Sequence, residues 1–275
     1  MAGNSPARRA IKRTLAPLVD TKPYHWLRSL AMGWDIRTGA WSEPELDLIR
    51  HVVRPGDSVI DIGANYGLYT YHLSRAVGPR GKVFAFEPIP LTCKGLRSTI
   101  GALRLRNVEV HEKGCQDKAG TVAFAVPLQE NGAMISGTVH LAERVNDRPG
   151  RERHARFEKT REINCDCIVI DDFLPPLDNI SFIKCDTEGA DYFALRGAHR
   201  LIERNLPVVV AEINPWFLEG FGIKLGDFVG MFGEMGYKVY RYVDGRLIRT
   251  PVERIEEDNW VFVHDERRKL VGALL

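Results

Sequence analysis

The sequence predicts an α/β fold: a mostly parallel, Rossmann-like sheet with helices on both faces and a C-terminal antiparallel hairpin. Three observations predict it. Short apolar runs at 58–62, 82–87, 107–111, 180–186 and 207–213 alternate with helix-length segments, as in a parallel sheet with crossover helices. The first run enters Asp61-Ile62-Gly63-Ala64-Asn65-Tyr66-Gly67, a glycine turn into a helix, and the second ends at Glu87. Near the C-terminus, Asp244-Gly245 separates two extended runs, a strong hairpin signal.

In chain order, Ser42-Glu43-Pro44-Glu45 has capping-box spacing with an early proline, and predicts a helix through Val53. Arg54-Pro55-Gly56-Asp57 then turns into the first strand. A helix over 66–77, a turn at 78–81, the second strand, a helix over 90–104 and the third strand follow. Segments 121–126 and 162–170 read as extended, around a polar stretch at 145–161. The fourth strand is followed by a helix around 189–204, the fifth strand, a helix near 225–235, strand 237–243 and a last strand near 260–264. The expected organisation is a partly flexible N-terminal extension (1–38), one domain (39–265) with an inserted variable or lid segment (127–161), and a C-terminal tail (266–275).

A chain of 275 residues, 44% hydrophobic, is long enough for one large α/β domain. The formal charge of +2 and interspersed signs give no sustained field for nucleic acid, so no nucleic-acid partner is expected. No apolar run is long enough for a transmembrane helix, and the basic start, with Arg8, Arg9, Lys12 and Arg13, lacks a signal-peptide core. That start reads as a solvated tail, with contact to a membrane surface as the alternative. Five cysteines without paired metal spacing read as reduced thiols in a cytoplasmic protein. Cys165 and Cys167 read as buried small residues on one strand face.

In the glycine turn, Gly63 and Gly67 allow a tight turn and close approach of a ligand. Glu87 is placed to accept hydrogen bonds from two ribose hydroxyls. The turn lacks the second, phosphate-approaching glycine of a dinucleotide fingerprint, and Asp61 adds a carboxylate that would repel a pyrophosphate. A cationic, zwitterionic ligand such as S-adenosylmethionine fits better than NAD. The antiparallel finish separates the fold independently from the all-parallel dinucleotide fold.

Asp61 to Gly67, Ala85-Phe86-Glu87-Pro88, Phe182-Ile183-Lys184-Cys185-Asp186-Thr187-Glu188-Gly189-Ala190-Asp191 and Val210-Ala211-Glu212-Ile213 together resemble the motifs of the FkbM-type methyltransferases over residues 39–264. The resemblance implies a class I methyltransferase fold, S-adenosylmethionine as cofactor, and O-methylation of sugar or polyketide hydroxyls in secondary metabolites and surface glycans. Asp191 departs from the pattern, where a glutamate is more usual, and Cys185 and Thr187 replace common aliphatics. Glu112 to Asp117 resembles the family's adenine-side loop, which makes Cys115 and Asp117 candidate cofactor contacts.

Methyl transfer to a hydroxyl needs alignment and removal of a proton. Asp186, at the carboxyl end of the fourth strand, is the expected general base or hydroxyl anchor, and also borders the cofactor. Glu188 and Glu212 are expected to converge on the same crevice. The three acids would bind polyol hydroxyls or hold Mg²⁺. As structural alternatives, Glu188 caps the next helix and Glu212 pairs with an arginine. His140 is the histidine candidate for a base or substrate ligand. Asn65 and Tyr66 lie in the cofactor turn, with packing under the sheet as Tyr66's alternative, and Glu43 is a candidate contact to the methionine moiety. Arg148 to Arg161 reads as a solvated charge run, with a lid gripping an anionic substrate as the alternative. Trp216 and Phe217 read as either a sugar-stacking pair or core. The expected partner is a hydroxylated glycosyl or polyketide acceptor, and a homo-oligomer is compatible. N- or carboxyl-methylation, and a non-catalytic binding protein of the same fold, are the competing readings.

Overall fold

The structure is a computed structural model that describes residues 22–128, 139–143 and 160–275. The first half forms α1 (Lys22–Thr38), α2 (Leu46–Val52), β1 (Ser58–Ile62), α3 (Leu68–Val77), β2 (Lys82–Phe86), α4 (Pro90–Ala102), β3 (Val108–His111), β4 (Gly114–Cys115), β5 (Gly120–Pro127) and β6 (His140–Leu141). The second forms β7 (Thr160–Ile168), α5 (Ile170–Phe173), β8 (Ile180–Cys185), α6 (Asp191–Arg196), α7 (His199–Asn205), β9 (Val208–Ile213), α8 (Pro215–Gly220), α9 (Leu225–Glu234), β10 (Tyr237–Val243), β11 (Arg246–Arg249) and β12 (Asp258–His264), closed by a 3-10 helix at Asp265–Leu274.

Strands β3, β2, β1, β8 and β9 lie side by side and parallel, with β1 central. Strand β12 joins β9 antiparallel, and β10 and β11 complete the edge. The predicted fold class is therefore observed, and the antiparallel finish involves three strands. The hairpin between β10 and β11 turns at Asp244 and Gly245, both at positive φ.

All five residues of β1 are buried, as expected of a parallel strand covered on both faces. Alternate residues divide between two cores. Ile60, Ile62, Phe84, Ile183 and Val209 face α6, α7 and α9. Val59, Val83, Phe182, Val208 and Val210 face α2 and α3. By that alternation Asp61, Lys184, Asp186 and Glu212 share the α2 and α3 side, where the strands run out.

A second sheet, ordered β4, β7, β5, β6, is built mainly from the long antiparallel pairing of β5 with β7. Both extended segments read from the sequence belong to it. The capping box does not form: α2 begins at Leu46, and Glu45 makes no side-chain cap. The N–H groups of Leu46 and Asp47 are already met by the Glu43 and Pro44 carbonyls, so no side chain is needed there. The expected single helix over 189–204 is two helices, broken where Gly197 backs against Gln116; a Cβ there would lie 2.1 Å from the Gln116 carbonyl oxygen. Helix α1, absent from the sequence reading, packs Ser29 and Gly33 toward Thr99 of α4 and buries Ile36. The closing 3-10 helix buries Val271 and Leu274 in the α2 and α3 core. All five cysteines are buried free thiols. Among the described residues no helix is long and apolar enough to cross a membrane.

Candidate active site

A cavity of about 240 Å³ opens at the carboxyl ends of β1, β2 and β8, roofed by Phe124 of β5 and by Val139. Open parallel sheets bind ligands at this edge. Of the residues singled out from sequence, Glu43, Asp61, Gly63, Asn65, Glu87, Cys115, Asp186 and Glu188 line it.

The turn after β1 is held by backbone. The Gly63 and Ala64 N–H groups both donate to the Phe86 carbonyl at 2.9 Å. Gly63 has φ +76, and a Cβ on it would sit 1.9 Å from the Asp186 carbonyl oxygen. Only glycine lets the turn after β1 lie directly against the chain leaving β8. Glu87 then ties the turn to β2: its carboxylate accepts from the Asn65 and Ile89 N–H groups, each at 3.0 Å. Burial nevertheless raises its pKa to about 7, against those hydrogen bonds. Burial likewise raises Asp61 to about 6, while its carboxylate accepts from the Thr70 hydroxyl at 2.5 Å.

Across β1, Lys184 is 1% exposed at the end of β8. Its ammonium donates to Asn259 Oδ1 at 2.8 Å and to Asp186 Oδ2 at 3.2 Å, and lies 5.1 Å from the centre of the Tyr69 ring. Asn259 in turn donates to Glu43 Oε2 at 3.3 Å. Burial opposes the lysine's charge, but Asp186, Glu43, Asp191 and Glu212 outweigh it and hold its pKa above the ordinary lysine value. A buried charge has to be paired, and here one lysine joins the end of β8, the last strand and, through Asn259, the segment before α2.

The loop after β8 is braced by Asp191, which is fully buried. Its Oδ2 accepts from the Thr187 hydroxyl at 3.0 Å and from the Thr187 and Gly189 N–H groups, each at 3.3 Å. The loop passes through positive φ at Glu188 (+54°) and Gly189 (+100°), and a Cβ on Gly189 would lie 2.5 Å from Phe217 Cβ. Oxygens of Asp186, Glu188 and Glu212 come within 4.8 Å of one another. Glu212 is not part of the cavity wall; its Oε2 is buried without a hydrogen-bond partner among the described residues. Burial first, then Asp186, Glu188 and Asp191, push its pKa well above the usual carboxylate range.

Other sequence candidates lie elsewhere. Tyr66 is buried between α1 and α4, under Arg28 and against Gly95, rather than under the sheet, and does not line the cavity. Gly67 starts α3 and stands behind the wall. Asp117 pairs with Arg196, and its neighbour Gln116 lines the cavity instead. His140 sits in β6 opposite Ala125, one residue past the wall residue Val139. Phe217 is core against the Gly189 loop, and Trp216 packs on it, 5.5 Å between ring centres. Most of the Arg148 to Arg161 charge run lies outside the described residues. Sequence reasoning missed Lys184, Asn259, Trp41, Gln116 and Tyr69. For Lys184 a signal existed: a lysine inside Phe182-Ile183-Lys184-Cys185 has to find counter-charges in the core.

The donor set fits a nucleoside carrying a positive charge. Glu87 faces the cavity beyond β2, where a ribose sits in this fold class, and Asn65 Oδ1 is a buried acceptor without a partner among the described residues, in the wall. Among the described residues of the wall, five acids (Glu43, Asp61, Glu87, Asp186 and Glu188) face two lysines (Lys113 and Lys184), which favours a cationic ligand over a pyrophosphate.

The family model of the methyltransferase FkbM domain matches residues 61–242. No curated protein matches the chain. Among solved structures, a methyltransferase FkbM from Methylobacillus flagellatus KT is 16% identical, with a TM-score of 0.47 over 94% of this chain and 59% of that one, so this chain spans less than two thirds of that protein. A SAM-dependent methyltransferase from Aquifex aeolicus is 17% identical over 80% of this chain and 87% of that one, with a TM-score of 0.42. A SAM-dependent O-methyltransferase from Thermotoga maritima is 14% identical over 83% and 68%, with the same TM-score.

Proposed function

The chain belongs to the FkbM methyltransferase family, and from that premise we propose an S-adenosylmethionine-dependent O-methyltransferase acting on a hydroxyl of a small molecule. A sugar of a secondary metabolite or glycolipid is the acceptor class this reading favours. Glu87 takes the ribose hydroxyls, Cys115 and Gln116 border the adenine, and Asp61, Asn65 and Glu43 surround the amino-acid end. S-adenosylmethionine held there supplies an electrophilic methyl group. What remains for the protein is to orient the acceptor oxygen and remove its proton.

The reading rests on Asp186. It leaves the end of β8 in the cavity wall, with Oδ2 held by Lys184. An ionised carboxylate in that position accepts the acceptor's hydroxyl proton as the oxygen bonds to the methyl carbon. Glu188, in the same wall, and Glu212, within 4.8 Å, are the groups that would anchor neighbouring hydroxyls of a polyol. The spacing of these three acids also suits a hard divalent cation such as Mg²⁺, a second reading favoured by their close approach. Five buried thiols support a place in the reducing cytoplasm.

The test is calorimetric titration with S-adenosylhomocysteine, followed by a mass-spectrometric screen of hydroxylated acceptors, with Mg²⁺ and with EDTA. Asp186→Asn is expected to keep product affinity and to lose turnover by about 10²–10⁴. Full turnover in that variant removes Asp186 as the base and favours a nitrogen or carboxylate acceptor. Loss of activity in EDTA, restored by Mg²⁺, assigns the three acids to a metal.

A further inference from the structure

Strand order gives the cavity two ends. Glu87, Cys115 and Gln116 lie on the β2 and β3 side, and Asp186, Thr187 and Glu188 leave β8 on the other. The bonds from Lys184 to Asp186 and Asn259, and from Asn259 to Glu43, draw the segment before α2 across to this second end. Trp41, two residues before Glu43, comes with it, and among the described residues it is the one tryptophan in the wall. Its backbone is pinned from the α1 side as well. The chain leaving α1 turns at Gly39, with φ +73, the Thr38 hydroxyl donates to the Trp34 carbonyl at 2.8 Å, and the Trp41 N–H donates to the Asp35 carbonyl at 3.1 Å. The indole packs against the α2 and α3 core and stays half-buried. A ring held in this way offers a flat apolar surface to a ligand with little side-chain entropy left to lose.

We propose that Trp41 is the platform on which a pyranose ring of the acceptor stacks, with its hydroxyl rim turned to Glu43, Asp186 and Glu188. The inference rests on the methyltransferase reading above and narrows its acceptor to a cyclic sugar; it also moves the ring contact from Trp216 and Phe217, which pack on each other outside the wall, to the segment before α2. A pyranose has a face of C–H groups that packs on an indole and a rim of hydroxyls that carboxylates accept from. The wall at this end offers both, an aromatic face and three acids. An open-chain polyol would leave the indole uncovered. A phenol or catechol would cover it but bring too few donors for three carboxylates, and acceptors that lose water without gaining a donor cost affinity.

The experiment is saturation-transfer NMR on the full chain with S-adenosylhomocysteine present, using the methyl pyranosides of glucose, mannose, galactose and rhamnose as probes, with sorbitol and catechol as controls. The variants are Trp41→Ala and Trp41→Phe, and calorimetric titration with S-adenosylhomocysteine accompanies each. The expected result is saturation of the ring C–H protons of at least one pyranoside and of neither control. Its dissociation constant should rise at least about tenfold in Trp41→Ala and recover most of that in Trp41→Phe, with S-adenosylhomocysteine affinity unchanged in both. A wild-type chain that takes up S-adenosylhomocysteine but no pyranoside overturns the proposal, as does Trp41→Ala binding the pyranoside equally well, or a control binding as the pyranosides do. Loss of S-adenosylhomocysteine affinity in both variants assigns Trp41 to the cofactor or to the fold and overturns it too. A wild-type chain that does not bind S-adenosylhomocysteine overturns the methyltransferase reading itself.

Discussion

Lys184 Nζ lies 3.2 Å from Asp186 Oδ2, with the lysine 1% and the aspartate side chain 36% exposed. The pair is asymmetric: a cation with no access to water holds an anion that reaches into the cavity. Removing the lysine leaves Asp186 and Glu43 as buried or half-buried acids without their counter-charge. Lys184→Met is therefore expected to cost about 3–5 kcal/mol of stability and about 10²–10³ in turnover. Thermal unfolding and steady-state kinetics check both. Adding Asp186→Asn should restore part of the stability and none of the activity; a double variant no more stable than the single one would mean that the pair is not what holds the strand ends together.

Glu87 links pH to cofactor binding. Its pKa is raised by burial from 4.5 to about 7, so in the unliganded protein it contributes stability that is fully present below pH 4.5 and lost as pH rises through about 7. A shift of that size corresponds to about 3 kcal/mol. Glu87→Gln should flatten that part of the stability–pH curve and weaken S-adenosylhomocysteine binding. If the ionised form takes the ribose, binding to wild type near pH 7 releases a proton, which shows as different calorimetric heats in buffers of different ionisation enthalpy. Equal heats would remove Glu87 from the ribose contact.

What was legible in the sequence was what local pattern determines. The parallel strands appear as apolar runs, and Gly63, Glu87 and Asp186 are readable because each ends or follows such a run. The Lys184 network was not, since Asn259 and Glu43 reach it from strand β12 and from the segment before α2, and no local pattern places them together. Tyr66 and Asp117 show the same limit in reverse: each stands at the expected point of the chain, but packing by α1 and α4 claims one and Arg196 of α6 claims the other. Strand ends follow from sequence, whereas side-chain direction follows from what packs against it.

Gly63→Ala tests the contact between the two halves of the site. The substitution puts a methyl group against the Asp186 carbonyl at a backbone φ of +76, so strain and overlap act together. A loss of about 2–5 kcal/mol is expected in the unfolding free energy from urea titration, with cofactor affinity and turnover falling in parallel. Wild-type stability would mean that β1 and β8 separate readily at this edge.

Asp191 offers a cleaner separation of binding from turnover. It does not itself line the cavity, yet its Oδ2 takes three hydrogen bonds from the wall residue Thr187 and from Gly189, on either side of Glu188. Asp191→Ala removes all three acceptances and frees a loop whose backbone runs at positive φ through Glu188. We expect a loss of about 2–4 kcal/mol of stability and a lower kcat, with S-adenosylhomocysteine affinity retained because Glu87 and the turn after β1 are untouched. Asp191→Asn, whose Oδ1 can accept the same bonds, should recover most of both. If the asparagine variant is as damaged as the alanine one, the charge at position 191 matters, and Asp191 acts on Lys184 electrostatically rather than by bracing the loop.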